Sequence, residues 1–502
     1  MQKQYIFYLF IALSLSFPFT RVPAQSNPKT PGLVKGAAGS NSDTIGSTLS
    51  LPQAVRIAIK NNLAVNTYDL VMQQDKINLH QAWDYLLPTL NGSANQGMGF
   101  GRSLNTYNYT YVNEQTNSGN YGLNTGLILF NGFYYQNNIR QNRYYYEAGK
   151  MDLQNQKDQI TLSIILDYLQ VLSNQDQLAI TRETADVDAK QLTRLDSLSK
   201  AGWSPSHPFS DLPNLQGQYA SDLANIATAE NTLELAKIAL FRDLNVPYKR
   251  DAAYDRGALA MQLTDYQESP DSIYQTALQV VPAVKAADLR IKSFQKAVLA
   301  AGGLYYPTLS FGASVNTLYN NTTTTSIPGA ITNQPTGDYI TVGGTQYNVI
   351  GKQQSFTSQN ISFGDQFNNN RSYSIGLTLN IPILNYFQRR NGVKTAKVNL
   401  KTQEVNANNL RLVLQQIVEQ AYQNMILAYK QYKSYIDQDA AFAEAFRITE
   451  IQFNEGVIGV DANIYLPAKR LADQAKLFLA QAKYTYIFRT KVLDYYQGRL
   501  TL

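Results

Sequence analysis

The feature that most constrains this chain is that it is written twice. LAVNTYDL (63–70) matches PAVKAADL (282–289), and YLLPTL (85–90) matches LYYPTL (304–309), both at an offset of 219. Further along the offset becomes 254. LFNGF (129–133) aligns with ILNYF (383–387), Gly202 with Gly456, and Leu212-Pro213 with Leu466-Pro467. Constant offsets over such distances are the mark of a structural repeat. The repeats span 49–245 and 268–498, joined by a connector at 246–267 and followed by a tail at 499–502. The step from one offset to the other falls between the paired strands of the second copy.

Each copy has the same order of parts. A helical segment (51–85; 271–303) ends before PTL, and an alternating strand follows. Leu90, Gly92 and Ala94 share one face of the first strand against Asn91, Ser93 and Asn95. In the second copy Leu309, Phe311, Ala313 and Val315 oppose Ser310, Gly312, Ser314 and Asn316. A polar loop comes next, short in the first copy (102–118) and long in the second (320–370). A returning strand then closes a hairpin, giving hairpins at 89–131 and 308–383. Very long helices are expected over 133–200 and 386–455, roughly 100 Å each at 1.5 Å per residue. The second carries Leu410, Leu414, Ile417, Ala421, Met425 and Ala428 at helical spacing. A glycine-marked break leads into a last helix (209–245; 461–498). Helices so long and so rich in Ala and Gln read as coiled-coil walls, not as the shell of a globular core.

The N-terminus reads as a secretory signal over 1–24. Lys3 is followed by the apolar run YIFYLFIALSLSF and a small-residue site at Val22-Pro23-Ala24. The run is short for a transmembrane anchor. Residues 25–48 form a flexible lead-in rich in Gly, Ser, Pro and Asn. The chain has no Cys, which excludes disulfides, thiolate chemistry and an acylated N-terminal cysteine.

The strands then pose a closure problem. One face is apolar and the other small or polar, as in a membrane barrel, with aromatic residues near the strand ends (Tyr109, Tyr111, Tyr121; Phe133, Tyr134, Tyr305). In lipid every backbone group needs a partner, so four open strands are not viable alone. A dimer would supply eight strands and a trimer twelve.

A signal peptide, a duplicated helix–hairpin–helix–helix plan, and LFNGF at the strand-to-helix transition together resemble the TolC-like outer-membrane efflux proteins. So do the breaks KAGW (200–203) and NEGVIG (454–459), each leading into LP. The resemblance covers essentially the whole mature chain. It implies an α+β membrane protein whose homotrimer forms a 12-stranded transmembrane β-barrel. A long periplasmic α-helical coiled-coil barrel would continue that barrel. It implies a position in outer-membrane lipid, partnered by a periplasmic adaptor and an inner-membrane pump. Carried over by position, the adaptor-docking tips are Gly202, Trp203 and Leu212 in one copy and Gly456, Val457 and Leu466 in the other. Asp461, Glu455 and Asp211 are the acidic residues available to a pore entrance. Asn131, Gly132, Pro382 and Asn385 mark the strand-to-helix transitions. Pro382 ends its strand for want of an N–H.

Enzyme readings fail on inventory. His80 and His207 are the only histidines and have no clustered carboxylates, so neither a metal site nor a catalytic triad is supported, and no cofactor is implied. The 43 basic residues are spread along the chain, which argues against nucleic acid. A general porin or surface adhesin is the main alternative, disfavoured because porins have short periplasmic turns. A soluble coiled-coil scaffold would not need the lipid-facing alternation.

Overall fold

The computed structural model describes residues 48–104, 109–113, 115–201, 211–256, 266–384 and 387–500. The signal and nearly all of the lead-in, with Gly202, Trp203, His207 and Asn385, lie outside them.

The first half runs β1 (Thr48–Leu49), α1 (Leu51–Asn61), α2 (Leu63–Asp84), β2 (Thr89–Gly99), β3 (Arg102–Leu104), β4 (Tyr111–Asn113), β5 (Thr116–Phe130), α3 (Tyr134–Lys200) and α4 (Asp211–Asp243). After β6 (Ala253–Tyr254) come α5 (Pro270–Val280), α6 (Pro282–Gly303), β7 (Thr308–Asn320), β8 (Thr324–Val342), β9 (Thr345–Asn360), α7 (Phe363–Asn369), β10 (Ser372–Asn380), α8 (Gln388–Asn454) and α9 (Ala462–Tyr496). The long helices α3 and α8 have 67 residues each, and both ends are displaced by 254. The helices α1 and α2 have the lengths of α5 and α6, 11 and 22 residues, displaced by 219.

Three expectations are corrected. Each N-terminal helical segment is two helices. Asn62 ends α1 and caps α2 by accepting from the N–H groups of Ala64 (2.9 Å) and Val65 (3.1 Å). In the second copy Pro282, at the first helical position of α6, has no N–H with which to continue α5. The segment 320–370 is not a loop: it is a two-stranded ribbon, β8–β9, followed by α7. Lastly, the buried face of α8 uses Val418 where Ile417 was expected, and Ile417 is exposed.

The sheet has the order β10-β7-β5-β2, all antiparallel, so β5 and β7 join the two repeats and β2 and β10 are edges. Its register gathers the alternation into two unlike faces. Ala94, Tyr121 and Thr317 stand in one row, and Gly92, Leu123, Val315 and Tyr373 in the next. Asn91, Asn124, Ser314 and Ser374 form a row of the opposite face.

Below the sheet the helices bury their apolar residues in separate clusters. The largest lies halfway along α3, where Ile164, Ile165, Tyr168, Leu169 and Leu172 pack on α1 and the end of α4. There β1 pairs in parallel with β6, and the buried Tyr168 hydroxyl faces the carbonyls of Leu49 (2.9 Å) and Asp255 (2.8 Å). A second cluster joins α5, the middle of α8 and the end of α9. Together these place Ala252, Tyr254 and Tyr266, in the described parts of the connector, at mid-height.

In the first copy the passage from sheet to helix takes three residues. Gly132 (φ 65°) and Phe133 (φ 62°) are both left-handed, and Phe387 (φ 56°) repeats Phe133 in the second copy. Asn131 is buried, its carbonyl accepting from the N–H of Tyr134 at 3.2 Å. A Cβ on Gly132 would sit 2.1 Å from the carbonyl oxygen of Gly303, and one on Gly303 would sit 2.5 Å from that of Gly132. The two repeats thus cross backbone to backbone where α6 enters β7 and β5 leaves for α3. Pro382 lies just beyond β10, where the sequence places the strand end.

Gly132→Ala therefore meets both a left-handed backbone, costing about 1–2 kcal/mol, and a carbonyl with no room to yield. Its melting temperature in detergent should fall. Gly217→Ala, in the interior of α4 with open space around its Cβ, should instead gain up to about 1 kcal/mol. Equal responses of the two variants would refute the crossing as a constraint.

Candidate functional site at the helical tips

At the end of the helices farthest from the sheet α8 turns back into α9, and α4 packs along α3. Here α8 ends in a Schellman cap. The N–H of Gly456 bonds the Phe453 carbonyl (3.3 Å), and that of Val457 bonds the Gln452 carbonyl (3.0 Å). Gly456 takes φ 70° and Gly459 φ 91°, so both glycines serve the turn. Beneath it lies a small core of Leu195, Leu215, Phe453, Ala462 and Tyr465, with the Phe453 and Tyr465 rings stacked at 4.6 Å.

The residues singled out by sequence separate by environment. Leu212 and Leu466 pack against this core and hold the tip together. Val457 is exposed, and the neighbouring Ile458, which the sequence reading passed over, is 91% exposed. Glu455 is exposed at the end of α8. Asp461 is the N-cap of α9, accepting from the Asn463 N–H at 3.0 Å. Asp211 is buried and accepts from the Ala462 N–H at 3.3 Å, so the first residue of α4 also closes the start of α9. The three carboxylates do not converge. Two are engaged at a helix N-terminus, where the helix dipole favours negative charge, and only Glu455 stands free in solvent.

Polar bridges join α3 to the second repeat across the tip. The Arg194 guanidinium donates to the side chain and carbonyl of Asn454, the last residue of α8. Gln191 donates to the same Asn454 side chain at 2.8 Å. Deeper in, Lys469 of α9 lies 3.2 Å from Asp188 of α3 and 3.0 Å from Asp473. Both Asp188 and Lys469 are almost wholly buried. Asp222 of α4, also buried, sits against Asp188, and Gln218 donates to it at 2.8 Å. Burial, then the neighbouring Asp222 carboxyl, push Asp188 up to about 7 against the pull of the Lys469 charge. A second acid pair, Asp167 with Asp243, sits at mid-height. Burial, then Asp243, push Asp167 up to about 7 as well. A cavity of about 460 Å³ beside the lower pair is lined by Ser221, Asp222, Lys469 and Arg470. His80 is exposed on α2, far from these groups in the chain. Among the described residues no group of three or more acidic or histidine side chains is placed to hold a metal.

The outer membrane efflux protein family matches residues 273–487 of this chain. Three solved structures share its architecture. The CmeC outer membrane channel of Campylobacter jejuni aligns with a TM-score of 0.66 at 16% identity, covering 89% of this chain and 86% of that one. VceC of Vibrio cholerae gives 0.67 at 12%, covering 89% and 96%. The open state of the MtrE outer membrane channel of Neisseria gonorrhoeae gives 0.62 at 16%, covering 90% and 89%. At these identities the likeness is one of fold. No curated protein matches the chain by sequence.

Because their folded pKa lies above the ordinary 3.8, Asp188 and Asp167 contribute fully below that value and lose the contribution as pH rises through about 7. The protein should melt at higher temperature at pH 5 than at pH 8. Asp222→Asn removes the neighbouring acid, lowers the Asp188 pKa, and should shrink that difference. Melting curves at four pH values test this; an unchanged difference would take the pair out of the account.

Proposed function

We propose that this chain, an outer membrane efflux protein with the TolC-like channel fold, is the outer-membrane exit duct of a tripartite efflux pump or type I secretion system. The observation that carries the reading is the four-stranded sheet and what it becomes. One mostly apolar face, two unpaired edges and short passages into 67-residue helices suit a wall that continues from lipid into the periplasm. Along β5 the stretch from Tyr121 to Phe130 rises roughly 30 Å. At a tilt of about 40° that is close to the apolar band of an outer-membrane barrel, about 25 Å. Aromatic groups stand at both limits: Tyr121 with Phe363 and Phe367 at one, Phe130 with Phe133 at the other.

Closure follows from the edges. Three copies, joined β2 to β10, make a twelve-stranded barrel, and their helices make the tunnel beneath it. The duct conducts passively, with energy supplied by an inner-membrane pump through an adaptor bound at the tips. Val457 and Ile458 are the apolar groups the α8–α9 tip offers to that adaptor; Gly456 shapes the turn that presents them. Widening the entrance requires α8 and α9 to move from α3, so the Arg194–Asn454 and Lys469–Asp188 contacts hold the entrance as described. A diffusion porin is disfavoured because over a hundred residues of each half are helix outside the sheet.

Cryo-EM of the protein extracted from outer membranes should show a long three-fold particle, barrel at one end and tapered helical tube at the other. Arg194→Ala should raise its single-channel conductance. A one-copy particle would sink the duct. A three-fold tube with unchanged conductance would remove only the Arg194 contact.

A further inference from the structure

Basic residues that are spread along the sequence gather in space at one level of the fold. The helix turns next to the sheet are 76–84 of α2, 134–146 of α3, 292–303 of α6 and 388–403 of α8, and Asp84 is their one carboxylate. On α8, Arg390, Lys394 and Lys397 follow one another at spacings of four and three, so they share a helix face. On α3, Arg140 and Arg143 stand 254 residues before Lys394 and Lys397, at the same positions of the repeat. All five are exposed, and among the described residues none has an ion-pair partner. Charge on this face is first neutralised one turn deeper, at the same place in both repeats: Glu147 with Lys150 (3.0 Å) and Lys401 with Glu404 (3.2 Å).

Two observations set this face on the outside of the wall. On α3, a Cβ on Gly149 would meet Asp75 of α2, the Gln141 carbonyl accepts from Ser293 of α6, and Asp152 pairs with Arg290 of α6. At 3.6 residues per turn those three positions lie on the far side of α3 from Arg140 and Arg143, so the basic face is the convex one. The aromatic girdle agrees. Phe130 stands opposite Leu309 on the apolar face of the sheet, and Phe133 packs edge-on against it at 5.4 Å. Phe387 repeats Phe133, equally exposed, and the Arg390 guanidinium lies over its ring at 5.8 Å.

We propose that these five cations form a collar around the duct that binds the phosphates of anionic phospholipid in the inner leaflet of the outer membrane. The proposal rests on the duct reading above, in which the apolar sheet face lies in lipid and the helices begin where lipid ends. Each headgroup layer is about 5–8 Å thick, half the difference between the hydrocarbon core and the whole bilayer. Arg390 stands roughly 3 Å along its helix, and Arg140 and Lys394 roughly 9 Å. Their long side chains reach back to the headgroups, and Arg143 and Lys397, roughly 14 Å along, are within a Debye length of them. Glu147 and Lys401, roughly 20 Å along, lie past that reach, and there the face neutralises itself. A soluble anion gives no reason for the unpaired cations to stop at one depth in both repeats.

Lys430 and Lys433 are a matched control: they too are exposed, three residues apart and on α8, but far from the sheet. The detergent-extracted protein is given equal amounts of phosphatidylglycerol and phosphatidylcholine with the same acyl chains, and native mass spectrometry counts the lipids it keeps. The wild type should prefer the anionic lipid. Lys394→Gln with Lys397→Gln should cut that preference by at least about fivefold, the effect of one cation at a membrane surface, and Lys430→Gln with Lys433→Gln should leave it unchanged. Equal retention of both lipids by the wild type, or equal loss in the two double variants, overturns the collar, and a three-copy mass then leaves the duct standing. Reversal potentials in a salt gradient test the other placement. A shift toward cation selectivity in the Lys394 and Lys397 variant, with lipid preference unchanged, puts the cations in the lumen and also overturns the collar. A one-copy mass overturns the duct itself.

Discussion

Everything in this fold depends on the backbone of one small sheet. Strands β2 and β10 end the sheet with open rows of N–H and C=O groups. The face they share with β5 and β7 is mostly apolar, with Thr125 and Thr317 among Leu, Ala, Val and aromatic side chains. Apolar surface belongs out of water, and an unpaired backbone group belongs in it. A single copy cannot meet both demands, whereas the closure with other copies proposed above would. The duplication is the economical route to such a wall, since each repeat supplies a hairpin and the β5–β7 ladder welds the two.

The helices inherit the consequence. A wall one helix pair thick cannot bury a continuous apolar core, so α3 and α8 concentrate burial at mid-height and at the tip. On the rest of α8's surface Val398, Val405, Leu412, Leu427 and Ile436 remain exposed in the single chain. That is the surface a neighbouring helix pair would cover in a closed tube. The crossing of Gly132 and Gly303 is the corresponding device at the other end. By letting two backbones touch, it brings the β5–α3 passage of the first repeat against the α6–β7 passage of the second.

Much of this was legible in the sequence because it is periodic. The strand faces follow from alternation alone, and the long helices fall within two residues of their expected ends. The losses are instructive. In 320–370 runs of Thr, Gly, Pro and Asn masked alternating strands, because turn-forming composition outweighed β-branched residues such as Ile327, Ile331 and Val342. The helix break at Asn62 left only a capping residue as its signal. At the tip, Leu212 and Leu466 pack on the small core, a placement that repeat position alone does not predict, since it says nothing about which way a side chain faces. The Arg194–Asn454 contact joins residues 260 apart and carries no local signature.

The buried charges have a reason that stability does not supply. Asp188 with Asp222 and Lys469, and Asp75 with Asp152 and Arg290, each sit between helices whose apolar faces repeat every turn or two. Burial raises Asp75 and Asp152 against the pull of the Arg290 charge, so desolvation outweighs attraction there. Such sites contribute little net stability, but breaking one leaves a charge stranded. Both ion pairs tie α3 to shorter helices of the second repeat, Asp188 to Lys469 of α9 and Asp152 to Arg290 of α6. An axial slide of α3 against those helices would part each cation from its carboxylate at two separated levels, a penalty that apolar packing alone would not impose.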